Sequence, residues 1–107
     1  MTQTATLFQD LVREVEIPDN GTLSKTLYRD EQLRMIVFAF DRGQELTDHA
    51  VPRAAIVQVL SGAMRLTLGE EVVDAGPGAW AHMPPGLPHA VHAREPSVML
   101  LTMLPVD

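Results

Sequence analysis

The chain has 107 residues, 46% of them hydrophobic, no cysteine and a formal charge of −6 at neutral pH. That length supports one domain with a modest core, and the missing thiols exclude disulfides and thiolate metal sites. The acidic balance, a single lysine (Lys25) and arginines scattered along the chain argue against a nucleic-acid partner, and no apolar run approaches the ~20 residues of a membrane span.

In chain order, Leu7, Phe8, Leu11, Val12 and Val15 recur at helical spacing, with Asp10 and Glu14 between them. This supports at most two turns before the Pro18-Asp19-Asn20-Gly21 turn cluster. Residues 1–21 lack the basic and apolar blocks of a secretory leader, so a cytoplasmic protein is expected. The segment is too short for a core of its own and is expected on the rim of the domain or on a partner subunit. From Thr22 to Arg29 the period becomes two, with one face only partly apolar. After a turn at Asp30-Glu31, Leu33 to Phe40 is a dense β-branched and aromatic run, expected to be a strand buried on both faces.

Asp41-Arg42-Gly43 ends that run, and Glu45 to His49 is short and polar before Pro52. Ala54 to Leu60 is a second dense strand, closed by Ser61-Gly62. Ala63 to Leu68 alternates cleanly, and Gly69-Glu70 is a two-residue hairpin turn into Glu71 to Asp74. Gly76-Pro77-Gly78 then breaks the chain, a short apolar run follows, and Pro84-Pro85-Gly86 forces a tight turn of type II geometry. The next run, His89 to Ala93, carries an imidazole just past that corner. Arg94-Glu95-Pro96 turns the chain again, and Val98 to Leu104 is thoroughly apolar. About nine short strands with Gly/Pro turns predict an all-β sandwich or barrel and exclude βαβ folds.

Two segments resemble the paired motifs of the cupin superfamily. Gly43, His49 and Gly62 fall on the spacing of the first motif, and Gly78, Pro84, Gly86 and His89 on that of the second. Val51, Ala55 and Ala93 stand where the family has a second histidine, a glutamate and an asparagine. The resemblance covers roughly residues 33–104 and implies a double-stranded β-helix, the RmlC-like jelly-roll barrel, as a single domain spanning 1–107. Family members that hold Fe, Mn, Ni or Zn usually do so with three histidines and a glutamate at the barrel mouth. By that resemblance His49 and His89 face one cavity, as candidate ligands of a divalent transition metal ion or as anchors of a small molecule. Val51 and Ala55 then line the same cavity and make it more apolar.

A third metal ligand would come from His82, His92 or Gln58. Strand alternation turns His92 away from the face of His89, and Gln58 away from that of Ala55. His82 precedes the proline corner, across which alternation cannot be carried, and it remains the candidate. Trp80 lies beside the same corner and is either packing or a ligand platform.

Three functions are compatible with these residues. The first is a small-molecule-binding protein with a mostly apolar cavity anchored by His49 and His89, lined by Val51, Ala55, Trp80 and His82. The second is a metal-dependent enzyme of dioxygenase or isomerase type with an atypical ligand set. The third is a metal-free acid–base enzyme using His49 or His89. The scarcity of other polar groups favours binding. A homodimer is expected, because small open barrels leave edge strands to cover. Truncating either histidine is expected to weaken binding with little loss of stability.

Overall fold

Tight turns and antiparallel pairing organise the chain throughout. The structure is a computed structural model that describes residues 3–105, with the side chains of Asp48 and His49 outside the description. Its strands are β1 (Thr22–Arg29), β2 (Arg34–Phe40), β3 (Glu45–His49), β4 (Ala55–Ser61), β5 (Met64–Leu68), β6 (Glu71–Ala75), β7 (Trp80–Met83), β8 (His89–Ala93) and β9 (Ser97–Met103). They form a five-stranded sheet in the order β1-β2-β9-β4-β7 and a four-stranded sheet in the order β3-β8-β5-β6. This is the all-β barrel expected from the strand pattern, in the jelly-roll form that the cupin resemblance implies. Among the described residues no helix is long and apolar enough to cross a membrane.

Side-chain alternation fills the space between the sheets. On β4, Ala55, Val57 and Val59 are buried while Ile56, Gln58 and Leu60 are half-buried on the other face. They meet Phe40, Met64, Leu66, Met83, Val91 and Met99 in the main core. Phe38 and Phe40 stack at 5.9 Å between ring centroids, adding a directional contact to the apolar packing.

The two-sided burial of β2 has a specific cause. Its outer face, Val37 and Ala39, joins Val98, Leu100 and Val15 in a second small core with Leu11 and Val12 packed on it. The segment before β1 therefore covers the outer face of its own sheet. It does so with one 3₁₀ turn, Leu11–Glu14, shorter than the two helical turns the spacing allows. Asp10 caps that turn by accepting from Val12 N at 3.2 Å.

The turns follow one design. Leu87 N donates to Pro84 O at 3.2 Å with Gly86 at φ 81°, and Ala79 N donates to Gly76 O at 3.1 Å with Gly78 at φ 94°. Both are the type II geometry expected of Pro-Gly at the central positions. Gly62 is needed for a second reason. A side chain there would run into Ser97 Oγ at 2.2 Å and Pro96 O at 2.3 Å. Ser97, fully buried, accepts from Ala63 N at 3.1 Å and gives its proton to Glu95 O at 2.7 Å, locking the β4–β5 turn to the start of β9.

Candidate functional site

The Pro84-Pro85-Gly86 corner leads directly into β8. His89 is the first residue of that strand and is 5% exposed. Its Nδ1 lies 3.0 Å from Leu87 O. A carbonyl oxygen only accepts, so Nδ1 carries a proton in this contact. His89, Val91 and Ala93 face inward and His92 outward, as alternation along the strand requires.

Around His89 the walls are apolar: Phe38, Leu46, Leu68, Met83 and Leu101 enclose a cavity of about 40 Å³. That is room for a few water molecules, far below the ~300 Å³ of a small-molecule pocket. The cavity is apolar through these side chains, not through Val51 and Ala55, and is nearly filled by them. Any ligand body must lie further out.

The β3–β8 ladder places His49 directly opposite His89 in backbone register, after a one-residue shift between Leu46 and His49. His49 closes β3; the strand leading to Gly62 begins later, at Ala55. The imidazole of His49 lies outside the described residues.

The other expected site residues separate into three places. Ala55 is 1% exposed and sits on one rung between Met83 of β7 and Met103 of β9, within the core. Val51 lies in the β3–β4 loop, where its carbonyl accepts from Gly86 N at 2.8 Å. Its side chain lines an outer cleft rather than the inner cavity. His82 and Trp80 pair with Ile56 and Gln58 on the outer face of the five-stranded sheet, and Trp80 is 59% exposed. The structure therefore does not bring His82 and Trp80 to His89. β7 is an edge strand whose inward positions are Ala81 and Met83, which leaves both rings on the far side.

The outer cleft, about 610 Å³, gathers residues that the linear sequence keeps apart. Arg29 and Arg34 flank the β1–β2 turn and are directly opposed across it, and Arg53 arrives from the β3–β4 loop. Arg34, Met103, Ala55 and Met83 continue the same rung across β2, β9, β4 and β7. Met103 of the cleft and Met83 of the inner cavity thus sit on one rung. Arginines scattered in sequence form a cluster in space, and the signal that could have shown it is the hairpin pairing of Arg29 with Arg34.

A sequence model of the family described as "Cupin domain" matches residues 36–105. The chain belongs to the cupin family. Among solved structures, this cupin is similar to a conserved protein of unknown function, SPY1581, from Streptococcus pyogenes. The two are 36% identical with a TM-score of 0.85, over 99% of this chain and 92% of that one. It is also similar to KdgF from Halomonas sp., at 26% identity and a TM-score of 0.79, over 92% of this chain and 94% of the other. An RmlC-like cupin from Desulfovibrio desulfuricans, 24% identical over 100% of both chains with a TM-score of 0.78, shares the fold. No curated protein matches the sequence.

The metal that many cupins hold can be tested against the donors present. Among the described residues His89 is the one nitrogen or oxygen donor side chain lining the inner cavity. Nor, among them, do three His, Cys, Asp or Glu residues gather anywhere. With Val51 and Ala55 at family ligand positions, the described donors do not fit a full cation site, which needs at least three protein ligands.

Proposed function

We propose that this cupin is a small-molecule-binding protein whose ligand seats at the barrel mouth, with the imidazoles of residues 49 and 89 as its polar anchors. The observation that carries this reading is the setting of His89. One buried imidazole, its Nδ1–H held by Leu87 O, ends an otherwise apolar lining. Such a site orients a ligand through its polar anchors while apolar walls exclude water. Because the inner cavity holds only a few waters, the ligand body lies in the outer cleft against Val51 and Met103.

The alternative, a metal-dependent enzyme, is favoured by one feature: an Nδ1–H held by a backbone carbonyl is the outer contact that orients a metal-ligating histidine. Elemental analysis of tag-free protein separates the two. The binding reading expects well under one first-row ion per chain, and small-molecule fragments that shift the His89 ring resonances and lose affinity in His89→Gln and His49→Ala. A stoichiometric ion retained through dialysis would replace this reading with the enzymatic one.

A further inference from the structure

We infer that the outer cleft recognises the carboxylate or phosphate group of a small anionic ligand through Arg29, Arg34 and Arg53; the inference rests on the small-molecule reading above and names the class of ligand.

The first argument comes from how the arginines are partnered. Every arginine outside the cleft has a carboxylate: Arg13 has Asp10 at 3.5 Å, Arg42 has Glu95 at 2.6 Å, and Arg65 and Arg94 have Asp74 at 3.1 and 3.2 Å. Arg29, Arg34 and Arg53 form no ion pair among the described residues. In a chain of net charge −6, counter-charges are abundant, so three unpaired guanidinium groups in one cleft are a local arrangement against the background.

The second argument is the strain of that arrangement. Arg29 and Arg34 are directly opposed across an antiparallel ladder, where like charges destabilise the pairing. Among the described residues, the buried Arg34 Nε has no hydrogen-bond partner, while its Nη2 reaches Thr26 Oγ1 at 3.4 Å. A buried N–H without an acceptor is costly to leave unmade.

The acidic residues of the cleft do not answer this need. Asp30 accepts from Tyr28 Oη at 2.5 Å, and from the backbone N–H groups of Gln32 and Leu33 at 2.7 and 3.0 Å, so its oxygens are committed to the turn. Glu31 is exposed at the turn itself and makes no ion pair among the described residues. An external anion with two or more oxygens supplies what is missing, since a guanidinium presents paired N–H donors in the plane of a carboxylate or against a phosphate. Val51 and Met103 provide the apolar wall for the rest of the molecule, and about 610 Å³ suits a small organic acid or organic phosphate.

The test is an amide chemical-shift titration of the wild type and of Arg34→Gln, Arg53→Gln and Arg42→Gln. Its probes are succinate, inorganic phosphate and neutral succinamide, at constant ionic strength set with sodium chloride. Saturable shifts of residues 29–34 and 51–53 with succinate or phosphate are expected, and the tighter of the two assigns the head group. Affinity should fall at least tenfold in Arg34→Gln and in Arg53→Gln, whose loop position makes it tolerant, and stay unchanged in Arg42→Gln at the other end of β2. Succinamide should not bind. Absence of saturable binding by both anions, equal binding by the cleft variants, or equal binding of succinamide would each overturn the inference. A neutral fragment that binds at His89 and leaves residues 29–34 and 51–53 unmoved would also overturn it while sustaining the small-molecule reading.

Discussion

Replacing Gly62 by alanine separates two reasons for a glycine in this fold. Gly62 has φ 88° and Gly43 has φ 83°, so a side chain at either meets the same backbone penalty, about 1–2 kcal/mol. They differ in space. At Gly43 an added Cβ meets nothing within 4 Å, whereas at Gly62 it lies 2.2 Å from Ser97 Oγ, 2.3 Å from Pro96 O and 2.7 Å from Ser97 Cα. These are backbone atoms and a locked hydroxyl, and they cannot retreat without breaking the Ser97 bonds to Ala63 N and Glu95 O. Leaving one or two such buried groups unmet costs about 1–3 kcal/mol each, so Gly62→Ala should lose about 3–5 kcal/mol and Gly43→Ala about 1–2. In urea denaturation at fixed protein concentration, with a slope of about 1.5 kcal/mol per molar, the midpoints should fall by roughly 2–3 M and 1 M. Midpoints within about 0.5 M of each other would refute the steric argument and leave only the backbone one.

His89→Ala should lower stability by about 1–3 kcal/mol in the same assay, because the ring is buried and donates to Leu87 O. This replaces the small cost expected of an open mouth, and an unchanged midpoint would show that the corner does not depend on the ring. On acidification, Asp30 is held below the usual carboxylate range by the Tyr28 hydroxyl and the N–H groups of Gln32 and Leu33, Asp41 by the N–H groups of Asn20 and Arg42, and Asp74 by Arg65. Lowered folded pKa values mean stability that is present above the unfolded value near 4 and lost as pH falls through the folded ones, so the melting temperature should stay level down to about pH 5 and drop below about pH 4. Asp30→Asn should show a shallower acid limb, and identical limbs would remove Asp30 from the account. Light scattering is expected to give twice the chain mass, since β1 is an edge strand exposed over its first five residues. A monodisperse monomer at micromolar concentration would contradict that.

Much of the barrel was legible in the sequence, because its signals are local. Gly43, Gly62, Gly78 and Gly86, the glycines of both motifs, all carry positive φ. The motif spacing is therefore a record of turn geometry as much as of chemistry. That His89 and His92 face opposite ways likewise follows from alternation within one short strand, while the inward direction of His89 was implied by the cupin resemblance. What lay beyond reach required registers between distant strands. His82 was the remaining third ligand only while the corner hid its register, and pairing with Ile56 turns it outward. Trp80 invited a role beside the pocket, but an aromatic on an edge strand is not drawn inward by its hydrophobicity alone. The arginine cleft was missed because Arg53 joins Arg29 and Arg34 only through folding. The cover of the outer sheet face had a sequence signal that was only half read. A β2 apolar on both faces demands something on each side, and Leu11, Val12 and Val15 were the nearest apolar residues available to supply it.

The position of β9 has a consequence for how the protein is made. It is the last barrel strand to be synthesised, yet it lies between β2 and β4 in the middle of the five-stranded sheet. Phe38 must wait for Met99, sixty-one residues later, before its ladder can close. Until then a nascent chain holds two apolar strands with open edges and no partner between them, at a stage when the four-stranded sheet can already form from β3, β8, β5 and β6. Pairings this distant make for slow closure. The interval before β9 leaves the ribosome is when this barrel is most exposed to pairing with another chain, and when a chaperone would have most to protect.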